Sequence, residues 1–104
     1  RRPTSRERSA MSTLAQTAVH KVVYSDIDFN RHVNTMRYIE MMIDMLPLQM
    51  LMQEAPVRLD IHFLRECRYG QTLAVGYEQR GRTALFEIRS DAGTVAVRAS
   101  IEWK

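Results

Sequence analysis

Ten consecutive residues, Ser25 to Asn34, hold the side chains of this sequence best suited to chemistry: carboxylates at Asp26 and Asp28, carboxamides at Asn30 and Asn34, and the imidazole of His32. They run straight into the apolar segment Thr35 to Leu46, so polar and charged groups crowd the mouth of what reads as a buried helix, a place they normally avoid. Two plain structural roles compete with a functional one. Asp26 and Asp28 suit turns, and Asn34 suits the N-cap of the helix behind it. For Asn34 alone the cap is the better reading. For the alternating set Asp28, Asn30 and His32, three different hydrogen-bonding types would project to one side of an extended segment, which fits a site better than a turn.

Such a cluster must be carried by regular elements on either side. Before it, Val19, Val22, Val23 and Tyr24 give the segment Thr17 to Tyr24 the β-branched and aromatic content of a strand. Behind it, a helix is expected from Thr35 to about Met45, stopped by Pro47. Its polar residues Arg37, Glu40 and Asp44 are spaced three and then four apart, one narrow stripe, so the remaining circumference (Met36, Tyr38, Ile39, Met41, Met42, Ile43, Met45, Leu46) must be covered by protein. The second half supplies the cover. Val57, Leu59, Ile61 and Phe63 alternate with Arg58, Asp60 and His62, and three further alternating runs follow, centred on Val75, Phe86 and Val97. Turns are expected at Tyr69-Gly70, Arg80-Gly81-Arg82 and Asp91-Ala92-Gly93. Connections this short imply four successive antiparallel strands in a meander, since parallel neighbours need crossovers of a dozen residues or more.

Length and charge exclude several classes. The 104 residues suffice for one core but not two. Four of the 15 basic residues, Arg1, Arg2, Arg6 and Arg8, lie in the first ten positions beside only Glu7, so the remaining 11 of each sign balance. Residues 1–16 therefore read as a basic linker or tail, and residues 17–104 as a single domain. No aromatic is interleaved with those arginines, which argues against a nucleic-acid arm. One cysteine, Cys67, precludes an internal disulfide and fits a reducing compartment, so a cytoplasmic setting, or a plastid in a plant, is expected. Arg37, Glu40 and Asp44 interrupt the longest apolar run, so no membrane span is expected. His20 and His62 have no second ligand at metal-binding spacing, and neither a metal nor a cofactor is expected. Six of the seven methionines fall between Met36 and Met52, as suits either core filling or a deformable pocket lining.

The order of strand, helix and four strands, joined to the polar cluster, resembles the C-terminal half of the acyl-acyl carrier protein thioesterases over roughly residues 19–104. Three local features carry the likeness. Ser25 to Asn34 looks like that family's S-D-x-D-x-N-x-H-V-N signature with its following tyrosine, here Tyr38. The run from Tyr38 to Pro47 is similar to its helix and closing proline, and Arg65-Glu66-Cys67 to its R-E-C triplet. Related D-x-D and H-V-N patterns occur in single-hotdog acyl-CoA thioesterases, and the triplet favours the carrier-protein branch.

The resemblance implies an α+β hotdog fold, a curved antiparallel sheet wrapped around one long central helix, and a chain that forms half of a two-hotdog protein, pairing with a second hotdog domain or with itself. It implies hydrolysis of fatty acyl thioesters on acyl carrier protein during fatty acid biosynthesis, with acyl-CoA hydrolysis or non-catalytic acyl binding as alternatives. It makes Asp28, Asn30, His32 and Glu66 the catalytic polar set and Cys67 a further candidate. In one scheme Glu66 is the general base toward water, Asp28 orients it or shares its proton, and Asn30 and His32 hold the thioester carbonyl or the water. Two neighbouring carboxylates would push one pKa up, as suits a base near neutral pH. In the other scheme Cys67 attacks with His32 as base and Asn30 as orienter. Alternation along an unbroken strand would put Glu66 and Cys67 on opposite faces, and a buried cysteine is usually an inert hydrophobe. Two departures stand out. Arg31 occupies a position where relatives often have glycine or glutamine, and Gly70 stands in for an aspartate beyond the triplet.

Overall fold

Five runs of β-branched and aromatic residues become strands, and the segments between them settle how the strands are ordered. The computed structural model describes residues 14–53 and 55–104. Most of the tail expected over residues 1–16 therefore lies outside the described residues. The elements are β1 (Gln16–Lys21), α1 (Thr35–Ile43), α2 (Leu48–Gln53), β2 (Pro56–Phe63), β3 (Thr72–Arg80), β4 (Thr83–Arg89) and β5 (Val95–Trp103), with one 3-10 turn at Tyr24–Asp26.

The strands form one antiparallel sheet in the order β1-β3-β4-β5-β2. The expected meander holds for β3, β4 and β5, whose hairpins place Val75 opposite Ile88 and Ile88 opposite Val97. It fails for β2, which pairs with β5, Ile61 facing Ala99 and Phe63 facing Val97, and so lies at the opposite edge from β1. The reason is the length of the β2–β3 connection. Residues 64–71 can reach about 26 Å when extended, and three strand spacings require only about 14 Å. The chain thus crosses the end of the sheet instead of turning back beside β2, and this crossing segment carries Glu66 and Cys67.

The helix expected from Thr35 to about Met45 forms over Thr35–Ile43, and no long central helix is shown among the described residues. Met45 and Leu46 donate their N–H groups to carbonyls only three residues back, on Met42 and Ile43, which tightens the last turn of α1, and Pro47 has no N–H with which to continue it. What remains is a nine-residue helix followed by a separate short one. Its cover is one-sided as well. Tyr38, Met41 and Met42 are buried in a core with Leu73, Val75, Phe86, Ile88, Val97 and Ile101, whereas Met36 is exposed and Ile39 is only partly covered. The apolar circumference legible in the sequence therefore exceeds what the described residues cover.

Leu73, at the centre of this core, has 0% exposure, while Val19 on the edge strand β1 has 72%. Leu73→Ala is expected to lower the unfolding free energy by about 2–5 kcal/mol, and Val19→Ala to change it by less than ~0.5 kcal/mol, read from urea midpoints at constant slope.

Candidate active site

The polar cluster is held at the end of the sheet where β1 and β2 finish and β3 begins. The local fold there is a small hairpin rather than an extended segment. Ile27 bridges Val33, Asp28 N–H donates to the His32 carbonyl at 2.8 Å, and Arg31 N–H closes a turn on the Asp28 carbonyl at 3.0 Å. Arg31 follows the turn in the left-handed region, φ 69°, as the last residue of a three-residue hairpin loop commonly does. Glycine suits that backbone best, so Arg31 holds it at a cost. Asp28, Asn30 and His32 still line one cleft, but because the hairpin sets Asp28 beside His32 with Asn30 at its turn, and not because alternate residues of a strand share a face.

Asp28 is a turn former here as well as a lining residue: its Oδ1 accepts the Asn30 N–H at 2.8 Å and the His32 N–H at 3.3 Å. Asn34 caps α1, its Oδ1 accepting from the Met36 N–H at 2.9 Å. The crossing segment is pinned against this hairpin. Val33 N–H donates to the Cys67 carbonyl at 2.9 Å and His32 bridges Arg68, while Leu64 and Arg65 both donate to the Ala96 carbonyl of β5. These bonds bring Glu66 Oε2 to 3.2 Å from His32 Nδ1. The result is a cleft of about 320 Å³ lined by Asp28, Asn30, His32, Tyr38, Phe63 and Glu66. The Glu66 side chain is 70% exposed, at the water side of the pair.

Cys67 points the other way. It is 1% exposed, it is not among the cleft-lining residues, and its own N–H donates to the Tyr38 hydroxyl at 2.9 Å. Burial pushes the Cys67 thiol up, only partly offset by the Tyr38 hydroxyl, so thiolate is disfavoured. Burial, then the Cys67 thiol, push Tyr38 up well beyond the ordinary tyrosine range, which keeps it neutral. Among the described residues, no hydrogen bond or ion pair joins Cys67 to His32, or Asp28 to Glu66. No group of three or more His, Cys, Asp or Glu side chains among them could hold a metal ion.

Asp26 supplies an anchor that sequence reasoning passed over. Its side chain has 0% exposure; Oδ2 meets His20 Nε2 on β1 at 2.8 Å and accepts the Val23 N–H at 2.8 Å, and Oδ1 accepts Arg37 Nε of α1 at 2.9 Å. Its carbonyl accepts the Asn34 N–H at 2.8 Å, closing the base of the hairpin. The available signal was Arg37, a cation on the first turn of an otherwise apolar helix, facing back toward an acid-rich loop. Burial alone would raise the Asp26 carboxyl, but the Val23 N–H, His20 and Arg37 together outweigh it and hold it below its ordinary value.

The chain is similar to known proteins over most of its length. The family described as the acyl-ACP thioesterase C-terminal domain matches residues 10–104. A chloroplastic acyl-[acyl-carrier-protein] hydrolase of Cuphea viscosissima is 26% identical over 87 residues, covering 78% of this chain and 21% of its own length. A chloroplastic dodecanoyl-[acyl-carrier-protein] hydrolase of Cinnamomum camphora is 23% identical, with 78% and 23% covered. Among solved structures, an acyl-ACP thioesterase from Bacteroides thetaiotaomicron superposes with TM-score 0.78 at 26% identity, over 84% of this chain and 36% of that one. A 12:0-ACP thioesterase from Umbellularia californica gives TM-score 0.80 at 21% identity, over 89% and 36%. This chain thus spans about a fifth of the length of the curated relatives it matches. The fold class is α+β of the hotdog kind.

Asp26 also gives the site a pH signature. The unfolded carboxyl binds its proton near 3.8 and the folded one only at lower pH, so the stability it confers is complete above that value and disappears as pH falls through the folded pKa. Asp26→Asn is expected to cost about 1–3 kcal/mol at neutral pH, since Arg37 loses one charged partner but is 34% exposed and keeps Glu40 at 3.2 Å, and to flatten the acid limb of the stability curve below pH ~4. Urea unfolding at stepped pH measures both effects.

Proposed function

The chain belongs to the acyl-ACP thioesterase C-terminal domain family, and on that premise we propose that it serves hydrolysis of fatty acyl thioesters borne by acyl carrier protein. The observation that carries this reading is the Glu66–His32 pair, 3.2 Å apart at the mouth of a cleft that Asn30 also lines. In the proposed reaction the Glu66 carboxylate takes a proton from water as its oxygen attacks the thioester carbonyl. His32 Nδ1, beside Glu66, orients that carboxylate, and the Asn30 amide meets the developing oxyanion. Collapse of the tetrahedral intermediate breaks the carbon–sulfur bond, and the thiolate recovers the proton from Glu66. Asp28 holds the loop amides that set this geometry. Cys67, buried with a raised thiol, acts in this reading as packing and as a backbone support for Val33.

The same reading makes residues 17–104 the C-terminal half of a two-hotdog protein, acting where fatty acids are made, in the cytoplasm or in a plastid. Support for a covering partner comes from β2 and its flank, where Val57, Leu59, Phe63 and Leu64 are each about half exposed along an edge strand. A second hotdog domain or a second copy of this chain would cover that edge.

The test offers the purified chain acyl-acyl carrier protein and acyl-CoA and follows free thiol. Glu66→Gln is expected to lose 10²- to 10⁴-fold in turnover and Asn30→Ala roughly 10²- to 10³-fold, while Cys67→Ala stays near the wild-type rate. Normal turnover by Glu66→Gln eliminates the base assignment. Thiol release from acyl-CoA alone shifts the substrate to the alternative carrier, and release from neither marks a half-domain that binds without catalysing.

A further inference from the structure

A second cleft opens on the far side of the hairpin. It measures about 630 Å³ and is lined by Tyr24, Ile27, Asp28, Phe29, Arg31 and Tyr69. Its chemistry differs from that of the catalytic cleft. Three aromatic rings stand out into solvent, Phe29 at the hairpin tip being 96% exposed and Tyr24 and Tyr69 flanking it. Arg31 is the cation among them, and no ion-pair partner for it occurs among the described residues. The two clefts share Asp28 and so adjoin at the hairpin. Asp28 lines both clefts, but no ion pair joins it to Arg31 among the described residues, and its Oδ1 accepts the Asn30 and His32 N–H groups.

We propose that this cleft seats the phosphate and pantoyl end of a phosphopantetheine arm, with Arg31 as the phosphate ligand and Tyr24, Phe29 and Tyr69 around the branched alkyl group beside it. The inference rests on the thioester reading and names which end of the carrier arm lies where. Charge complementarity supports it. A guanidinium presents several donors to phosphate oxygens in a planar fork, and an unpaired one at a cleft edge is suited to an anion. The neighbouring chemistry matches as well. In phosphopantetheine the phosphate is attached next to a gem-dimethyl carbon, so a cation set among aromatic faces fits both groups together.

The test compares 4′-phosphopantetheine with pantetheine by calorimetric titration of the whole chain. The phosphorylated arm is expected to bind about tenfold more tightly at low salt, with the advantage shrinking as ionic strength rises. Arg31→Gly keeps the hairpin, because glycine accepts the left-handed backbone, and should bring the ratio near one. Arg31→Lys should retain part of it, and Phe29→Ala should weaken both arms alike. Equal binding of the two arms to the wild-type chain, no binding of either, or a phosphate advantage that survives Arg31→Gly overturns the proposal. So does a change of oligomeric state in Arg31→Gly with no phosphate advantage in the parent, which assigns the cleft to a second copy. Hydrolysis separates this failure from failure of the thioesterase reading. Equal KM for acyl-phosphopantetheine and acyl-pantetheine sinks the Arg31 site alone, and a phosphate-dependent affinity without any hydrolysis sinks the thioesterase reading alone.

Discussion

A carboxylate with no exposure to solvent governs this end of the molecule. Isolated in a protein interior, the Asp26 charge would be prohibitively costly; it persists because three groups converge on it from three places, His20 on β1, Arg37 on α1 and the Val23 N–H in the turn between them. The same residue's carbonyl receives the Asn34 N–H, so the anchor fixes both the start of the helix and the base of the hairpin. The hairpin cannot tilt without uncoupling a buried ion from its partners. That constraint carries Asp28, Asn30 and His32 to their places, although Asp26 itself does not reach the cleft.

The opposite wall depends on a topological crossing. By sending β2 to the far edge of the sheet, the fold obliges residues 64–71 to run along the sheet end, under the hairpin and past α1. Two adjacent residues of that segment then separate by environment. Cys67 turns inward, where the Tyr38 hydroxyl takes its N–H and burial raises its thiol; Glu66 turns outward beside His32. A buried thiol fixed by packing makes a rigid support, and an exposed carboxylate beside an imidazole can exchange protons with water. Neither environment suits the other task.

Much of this was legible from residue types. The strand runs, the cap at Asn34 and the closing proline follow from periodicity and local preference, whereas Glu66 and Cys67 separate on a segment beyond the end of β2 and not by strand alternation. Three things did not. The meander failed at β2 because pairing depends on which edge the chain reaches, and connection length permits more than one answer. The single long helix failed because the last turn of α1 tightens three residues ahead of Pro47, a backbone choice that apolar spacing does not record. The extended segment failed because Asp28 accepts two loop amides and Arg31 adopts a left-handed backbone, a conformation that glycine would have announced and arginine conceals.

Phe63 links the cleft to the uncovered edge of the sheet. Its ring lies 6.0 Å from that of Tyr38 and forms part of the cleft wall, yet it is about half exposed on β2 together with Val57, Leu59 and Leu64. An aromatic ring in that position is in contact with the buried tyrosine on one side and with water on the other. On the proposed reading, a neighbour over β2 would remove the water and leave the tyrosine, so that the ring would lose freedom and the cleft solvent at one step. The interaction between Glu66 and His32 strengthens as water is excluded. Covering the edge strand and sharpening that electrostatic pairing would thus be coupled through one side chain, and Ile39, only partly covered by the described residues, lies with Leu59 and Ile61 of β2 at the same edge.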